Sequence, residues 1–172
     1  MLRINSRFLW ILCMLFMSPG CSYYSVSGSL PGHIKTAAVP LFENKTVEPG
    51  IVEDLTDAIQ DAVISDGNMK ITGEFQADAL VQGTIIDVIE EADTFSSSEK
   101  AEQFKIRIFA DVQFYDRVKN KVVWEEKRME GWARYGASGS TNSEGSTTRE
   151  GAINEALKML ADLIIDKTVA GW

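Results

Sequence analysis

The chain has 172 residues, of which 17 are Lys or Arg and 25 are Asp or Glu, so its formal net charge is −8 at pH 7. This acidic balance argues against nucleic acid as a partner, because nucleic acids bind clustered basic residues. With one histidine and two cysteines, the chain has too few nitrogen and sulfur ligands for a metal site. We therefore expect no metal and no cofactor.

The first 20 residues have the features of a secretory signal peptide. Arg3 and Arg7 precede an uncharged apolar run at 8–17, which is too short to span a bilayer, since about 20 apolar residues are needed. The sequence SPGC at 18–21 follows and resembles the lipobox of bacterial lipoproteins, although its serine and proline depart from the usual box. We expect Cys21 to carry the lipid. The alternative is an ordinary secretory signal followed by a free cysteine, which is a liability in an oxidising compartment.

Removal of residues 1–20 would leave 152 residues, close to the common size of a single domain. Those 20 residues contain two basic and no acidic side chains, so the remainder would carry a net charge of −10. Residues 21–32 are rich in serine, glycine and tyrosine and predict a lipidated tether. We expect a single domain over residues 33–172.

The first part of this domain predicts a strand and a helix. Ile34–Phe42 is apolar and contains Pro40, which is typical of a strand at the edge of a sheet. After Pro49, apolar residues recur three or four positions apart, as they do on one face of a helix. Gly67 is expected to end this helix.

The middle of the chain predicts three consecutive strands. Residues 79–94 are rich in β-branched side chains and predict a long strand, with an exit loop at 96–103. Phe104–Phe114 alternates apolar and polar residues, which is the clearest strand pattern in the chain. The polar turn at 116–121 then predicts a hairpin whose return strand runs over 122–135.

The end of the chain predicts a loop and a second helix. Residues 138–146 are serine-rich and predict a loop. Thr147 and Glu150 have the spacing of a capping box, and apolar residues continue at helical spacing to Ile164. The element order β-α-β-β-β-α predicts an α+β fold, a two-layer sandwich with about four mainly antiparallel strands and both amphipathic helices on one face.

Catalysis has little support in the sequence. His33 lies between the tether and the first strand, where we expect it to be solvated. The acid pairs at 90–91 and 125–126 are adjacent residues on strands, so their side chains point to opposite faces and are better interpreted as solvated charges. We do not expect an enzyme, and a periplasmic enzyme of unknown type stays as an alternative.

The basic residues are concentrated in the hairpin. Residues 105–128 contain seven basic side chains, and several such donors together can hold a phosphate-bearing sugar or lipid headgroup. The alternative is a solvated outer face. The aromatic residues Trp124, Trp132 and Tyr135 are equally compatible with core and surface. The candidate ligand-binding residues are Lys105, Arg107, Arg117, Lys119 and Lys121.

The opening of the expected mature chain resembles the lipopolysaccharide-assembly lipoprotein family (LptE-like). The resemblance rests on Cys21 followed by Tyr23 and Tyr24, on Leu30-Pro31, and on the sequence VPLFEN at 39–44 leading into a helix. It implies an outer-membrane, lipid-anchored protein whose periplasmic-side domain sits inside a large LptD-like β-barrel, stabilises it and helps to deliver lipopolysaccharide to the outer leaflet. It also implies lipopolysaccharide contact through basic residues, whose positions it does not identify. An accessory lipoprotein of another envelope transport or secretion complex is the alternative.

Overall fold

A computed structural model of the chain describes residues 30–95, 101–137 and 148–170. The predictions for the signal peptide, for Cys21 and most of its tether, for the loop at 138–146 and for the Thr147 cap lie outside these residues. Within the described ranges the chain forms two helices and six strands. In chain order they are β1 Thr36–Ala38, β2 Glu43–Asn44, α1 Ile51–Asp66, β3 Lys70–Ile71, β4 Ala79–Phe95, β5 Ala101–Asp116, β6 Lys121–Gly136 and α2 Arg149–Ala170.

The strands form one mixed sheet in the order β3-β1-β4-β5-β6, and β2 also pairs with β4 on the edge that β1 occupies. β1 is parallel to β3 and β4, and β2 is parallel to β4. β4, β5 and β6 form an antiparallel meander. The predicted α+β class is confirmed, whereas the four-stranded, mainly antiparallel sheet and its element order are wrong.

The difference arises in the short strands at the edge of the sheet. The apolar segment around Pro40 is split into β1 and β2, because proline cannot donate a ladder hydrogen bond. The chain then crosses over through α1 and returns as β3 and β4, both parallel to the first strand. A turn of 3₁₀ helix at Glu74–Gln76 connects β3 to β4.

The predicted long elements are confirmed. Helix α1 ends at Gly67, whose φ is 75° and whose N–H donates to the Val63 carbonyl at 3.2 Å. The predicted long strand corresponds to β4, and the hairpin corresponds to β5 and β6. β5 begins at Ala101, so the strand takes over part of the predicted loop at 96–103.

Both helices pack on one face of the sheet, as predicted. The even-numbered side chains of β5 from Ile106 to Phe114 point into this core, together with apolar residues such as Leu55 of α1 and Leu160 of α2. Helix α2 comes closest to the sheet at Gly131, where an added Cβ would lie 2.2 Å from the Ala156 carbonyl oxygen. Neither helix within residues 30–95, 101–137 and 148–170 has the length and hydrophobicity of a membrane span.

Candidate functional site

The odd-numbered side chains of β5 project from the opposite face of the sheet, which neither helix covers in the described part of the chain. This open face contains Lys105 and Arg107, so the prediction that they share a face is confirmed. Phe109 lies on the same face and is only 5 % exposed. Charged side chains from β5 and β6 cover its ring.

Two aromatic rings on the open face are each held between cations. Lys105 Nζ lies 4.5 Å from the centre of the Trp132 ring, and the Arg134 guanidinium lies 5.1 Å from the same ring. Contacts of this kind hold cations above aromatic faces. In the second group, the guanidinium carbons of Arg107 and Arg128 lie 5.0 and 4.5 Å from the centre of the Phe109 ring. The cation–aromatic face is defined as Lys105, Arg107, Phe109, Arg128, Trp132 and Arg134.

Acidic side chains neutralise two of these four cations. Arg107 donates to Glu130 from Nε at 2.7 Å and from Nη2 at 3.0 Å, and the Nη1 atom lies 3.8 Å from Glu91. These bonds lower the pKa of the Glu130 carboxyl below its ordinary value. Arg134 Nε lies 2.5 Å from Asp93. Lys105 and Arg128 form no ion pair with any residue that the structure describes, although their charges also help to lower the pKa of the Glu130 carboxyl.

A bulge in β6 places Arg128 on this face. Lys127 and Arg128 oppose the single residue Asp111 of β5, and Arg128 has a φ of 53°. Because of the bulge, the backbone N–H of Arg128 has no ladder hydrogen bond to β5, and it donates instead to Asp111 Oδ1 at 2.9 Å. The sequence showed the basic pair at 127–128, but the orientation of Arg128 depends on the bulge.

The other three predicted ligand residues lie at the opposite end of the hairpin. Arg117 Nη1 donates to the carbonyl oxygens of Glu74 and Ala77, which flank the exposed ring of Phe75. Lys119 and Lys121 are exposed at the turn between β5 and β6. The hairpin tip is defined as Phe75, Arg117, Val118, Lys119, Lys121 and Val122.

The structure therefore divides the five predicted bases into two groups. Ten positions separate Arg107 from Arg117, a distance of about 30 Å at the rise of a β-strand. A groove of about 410 Å³ lies on the open face between the two groups, and its lining includes the acidic side chains Glu43, Asp111 and Glu125. This acidic groove prevents the two groups from forming one continuous anion-binding surface.

Other charged residues have structural partners. His33 is not solvated as expected, because its Nε2 lies 2.7 Å from Oδ2 of the buried Asp116. Both predicted acid pairs contribute to ion pairs, with Glu90 bound to Arg149 Nε at 2.8 Å and Glu126 bound to Lys167 at 2.6 Å. Both glutamates stay solvent-accessible, with side chains 34 % and 43 % exposed, so they are solvated charges as predicted and also form surface ion pairs.

Arg149, at the first turn of α2, connects three parts of the fold. Besides Glu90, it binds both carboxylate oxygens of Glu48 in the loop before α1. Its hydrogen bonds lower the pKa of Glu48. Burial, together with the hydrogen bond to Glu90, raises the pKa of Tyr135 to about 12. Of the three ambiguous aromatic residues, Trp124 is buried against Phe114, whereas Trp132 and Tyr135 are half-buried.

Comparison with known families connects this geometry to a biological system. The sequence matches the lipopolysaccharide-assembly (LptE) family over residues 34–168, from just before β1 to the last turn of α2. The chain belongs to this family. LptE proteins are non-catalytic envelope lipoproteins of lipopolysaccharide assembly, in agreement with the resemblance seen in the sequence.

Solved structures share the fold at low sequence identity, and a comparison with curated proteins gave no match. A PelC dodecamer from Paraburkholderia phytofirmans superposes with a TM-score of 0.52 and 12 % identity, covering 83 % of this chain and 93 % of the PelC chain. The hypothetical protein CT253 from Chlamydia trachomatis superposes with a TM-score of 0.52 and 8 % identity, covering 78 % of this chain and 96 % of the CT253 chain. A minor lipoprotein from Acinetobacter baumannii superposes with a TM-score of 0.50 and 12 % identity, covering 78 % of this chain and 91 % of the lipoprotein.

Proposed function

We propose that this LptE-family chain is an outer-membrane lipoprotein that plugs and scaffolds the LptD-like barrel of lipopolysaccharide assembly and assists lipopolysaccharide insertion into the outer leaflet. The family match over residues 34–168 carries the proposal, because it covers every described strand and helix except the last two residues of α2. The role is non-catalytic. The chain supplies a rigid surface and a membrane anchor.

The anchor is the lipid on Cys21, after removal of residues 1–20, and residues 33–172 form a single domain. Ser22 rather than aspartate follows the cysteine, which is consistent with release to the outer membrane. Several acyl chains hold a protein firmly, since each buried methylene contributes about 0.8 kcal/mol. Mass spectrometry of the mature N-terminus tests this assignment. An unmodified Cys21 or a different N-terminus would contradict it.

The scaffold role fits the shape and chemistry of the sheet. The long meander of β4, β5 and β6 has one face closed by helices and one face open. Its open face combines ion pairs, partly buried aromatic rings and the cations Lys105 and Arg128, so it can contact both a polar barrel interior and a phosphate-bearing lipid. Lys105 and Arg128 are the best candidates for phosphate contact, because charged side chains that donate hydrogen bonds bind phosphate strongly.

Under this proposal, Lys105 and Arg107 of the predicted ligand set belong to the surface that contacts lipopolysaccharide. Arg107 is held by Glu130, so we assign it a positioning role there and assign phosphate contact to Lys105 and Arg128. The net charge of −10 for the mature chain would repel an anionic glycolipid at long range, but within the roughly 8 Å screening length at physiological salt the local charges dominate.

Depletion of the chain from its own cells tests the function. We expect the folded fraction of the lipopolysaccharide-assembly barrel to fall, together with the amount of lipopolysaccharide at the cell surface. Re-expression of the parent chain should restore both quantities. Unchanged surface lipopolysaccharide after depletion would overturn the proposal and favour the alternative of another envelope transport complex.

A further inference from the structure

We infer that the hairpin tip docks on the surface of the membrane that anchors the chain, with its apolar side chains in the interface and its lysines on anionic headgroups. The orientation rests on the proposed lipidation of Cys21, whereas the surface itself is defined by the described residues. It is a second surface, separated from Arg128, the nearest member of the cation–aromatic face along β6, by about 20 Å.

The tip exposes apolar side chains at the end of the molecule. Phe75 is 91 % exposed, Val118 is 61 % exposed and Val122 is 45 % exposed. They belong to two separate segments, the 3₁₀ turn before β4 and the hairpin end formed by the turn after β5 and the start of β6. Arg117 joins these segments, because its side chain binds the carbonyls on both sides of Phe75 and its N–H donates to the Asp78 carbonyl at 2.8 Å. The apolar group is therefore held in place before it meets a partner.

The tip also presents net positive charge. Lys119 and Lys121 are exposed and form no ion pair with any residue in the described ranges. Glu74, which is exposed beside Phe75, offsets one of the three positive charges of the tip, and the two nearby aspartates are already engaged. Asp78 accepts the N–H groups of Lys35 and Thr36 at 2.9 Å, and Asp116 is fully buried against His33.

The path of the chain brings this end of the molecule to the membrane. The described chain enters at Leu30, which packs on the core, and His33 then binds Asp116 at the base of the tip. Nine positions separate Leu30 from Cys21, and a fully extended chain of that length reaches about 30 Å. A lipid on Cys21 would therefore keep Leu30, which lies three residues before the contact between His33 and the base of the tip, within about 30 Å of the bilayer.

Apolar side chains beside lysines are the combination that binds a membrane interface. The apolar groups enter the boundary between headgroups and acyl chains, and the lysines interact with anionic lipids. A protein partner would also cover the apolar groups, but the position of the chain entry favours the bilayer. Docking would fix the orientation of the domain, because it adds a second point of contact with the bilayer to the lipid anchor.

Vesicle binding tests this inference without the lipid anchor. The mature chain, residues 21–172 with Cys21→Ser, is mixed with vesicles of phosphatidylcholine and phosphatidylglycerol, or with pure phosphatidylcholine, and sedimented. We expect binding to the anionic vesicles that weakens with salt. The double variant Lys119→Ser/Lys121→Ser should bind about 30-fold more weakly, and Phe75→Ser about tenfold more weakly.

Matched controls remove the same groups elsewhere. Lys45→Ser/Lys158→Ser makes the same change in net charge, and Phe95→Ser removes a ring that is 63 % exposed at the far end of β4. Circular dichroism melts check that each variant folds. Parent-like binding by the tip variants, equal losses in the controls, or no binding of the parent to anionic vesicles would each overturn membrane docking. Binding to lipopolysaccharide aggregates but not to vesicles would also overturn it. None of these results affects the depletion experiment, which reports on the barrel.

Discussion

His33 and Asp116 form a hydrogen bond across 83 positions of sequence, with 2.7 Å between Nε2 and Oδ2. Asp116 is fully buried and also accepts the N–H of Lys119 at 2.9 Å. The pair fastens the point where the chain enters the domain to the turn between β5 and β6. It explains how the entry of the described chain and the hairpin tip come to lie at the same end of the molecule.

Replacement of Asp116 is expected to lower stability. Asp116→Ala leaves the Lys119 N–H and His33 without their acceptor, at an expected cost of about 1–3 kcal/mol in the free energy of unfolding. Urea denaturation measures this cost. Asp57→Ala, an exposed change on α1, is the control and should stay within about 0.5 kcal/mol of the parent.

The stability lost on replacing Asp116 should also depend on pH. Burial opposes ionisation of Asp116, but its hydrogen bonds with Lys119 and His33 lower its pKa below the ordinary value. A carboxyl with a lowered folded-state pKa contributes its full stability above the unfolded pKa and loses it as the pH falls through the folded pKa. The difference in the free energy of unfolding between the parent and Asp116→Ala should therefore become smaller on acidification. A difference that grows at low pH would contradict the assignment.

Arg149→Met tests the connection between α2, β4 and the loop before α1. We expect a loss of about 1 kcal/mol, since the Arg149 side chain is 41 % exposed and solvent screens its ion pairs. The pKa values of Glu48 and Glu90 are lowered in the folded protein, so this contribution is also lost on acidification. Lys158→Met on the exposed side of α2 is the control. Equal thermal stability of the two variants would show that the ion pairs of Arg149 contribute nothing to the stability of the fold.

Gly131→Ala probes the closest approach of α2 to the sheet. The added Cβ would lie 2.2 Å from the Ala156 carbonyl oxygen and 2.9 Å from the Leu160 Cβ, so the helix would have to shift. Overpacking of this kind costs about 1–3 kcal/mol. Gly73→Ala is the matched control, because nothing lies within 4 Å of its Cβ position. A Gly131→Ala variant as stable as Gly73→Ala would mean that α2 is not fixed at this contact.

The division of the bases into two surfaces predicts different effects on lipopolysaccharide binding. Lys105→Ser/Arg128→Ser removes the two cations assigned to phosphate contact and should weaken binding at least tenfold, since each charge-assisted bond contributes about 1.5–3 kcal/mol. Lys119→Ser/Lys121→Ser should have a smaller effect. Titration of purified lipopolysaccharide into each variant measures the difference. A larger loss in the tip variant would place the lipopolysaccharide contact at the tip.

Periodicity in the sequence was sufficient to predict the long elements. Helix α1 and strand β5 each bury one face over many residues, so the pattern repeats often enough to be recognised. The strands β1, β2 and β3 have only two or three residues and show no period. Their parallel pairing depends on the crossover through α1, which local sequence does not specify.

The candidate surfaces could be predicted only in part. Alternation in β5 placed Lys105 and Arg107 together correctly. The position of Arg128 depends on the bulge opposite Asp111, and a shift of one residue exchanges the two faces of a strand. Phe75 lies in a short 3₁₀ turn, and its neighbour Arg117 is distant in sequence. Only the folded chain shows that these residues form one tip.

Purification of the tagged chain from outer membranes in mild detergent tests the proposed role most directly. We expect the lipopolysaccharide-assembly barrel to be recovered with the chain in near-equal molar amount. The variants Lys105→Ser/Arg128→Ser and Lys119→Ser/Lys121→Ser should recover the same amount of barrel, because plugging depends on the whole domain and not on these basic side chains. Recovery of a different envelope complex in that ratio, with no lipopolysaccharide-assembly barrel, would contradict the proposed role.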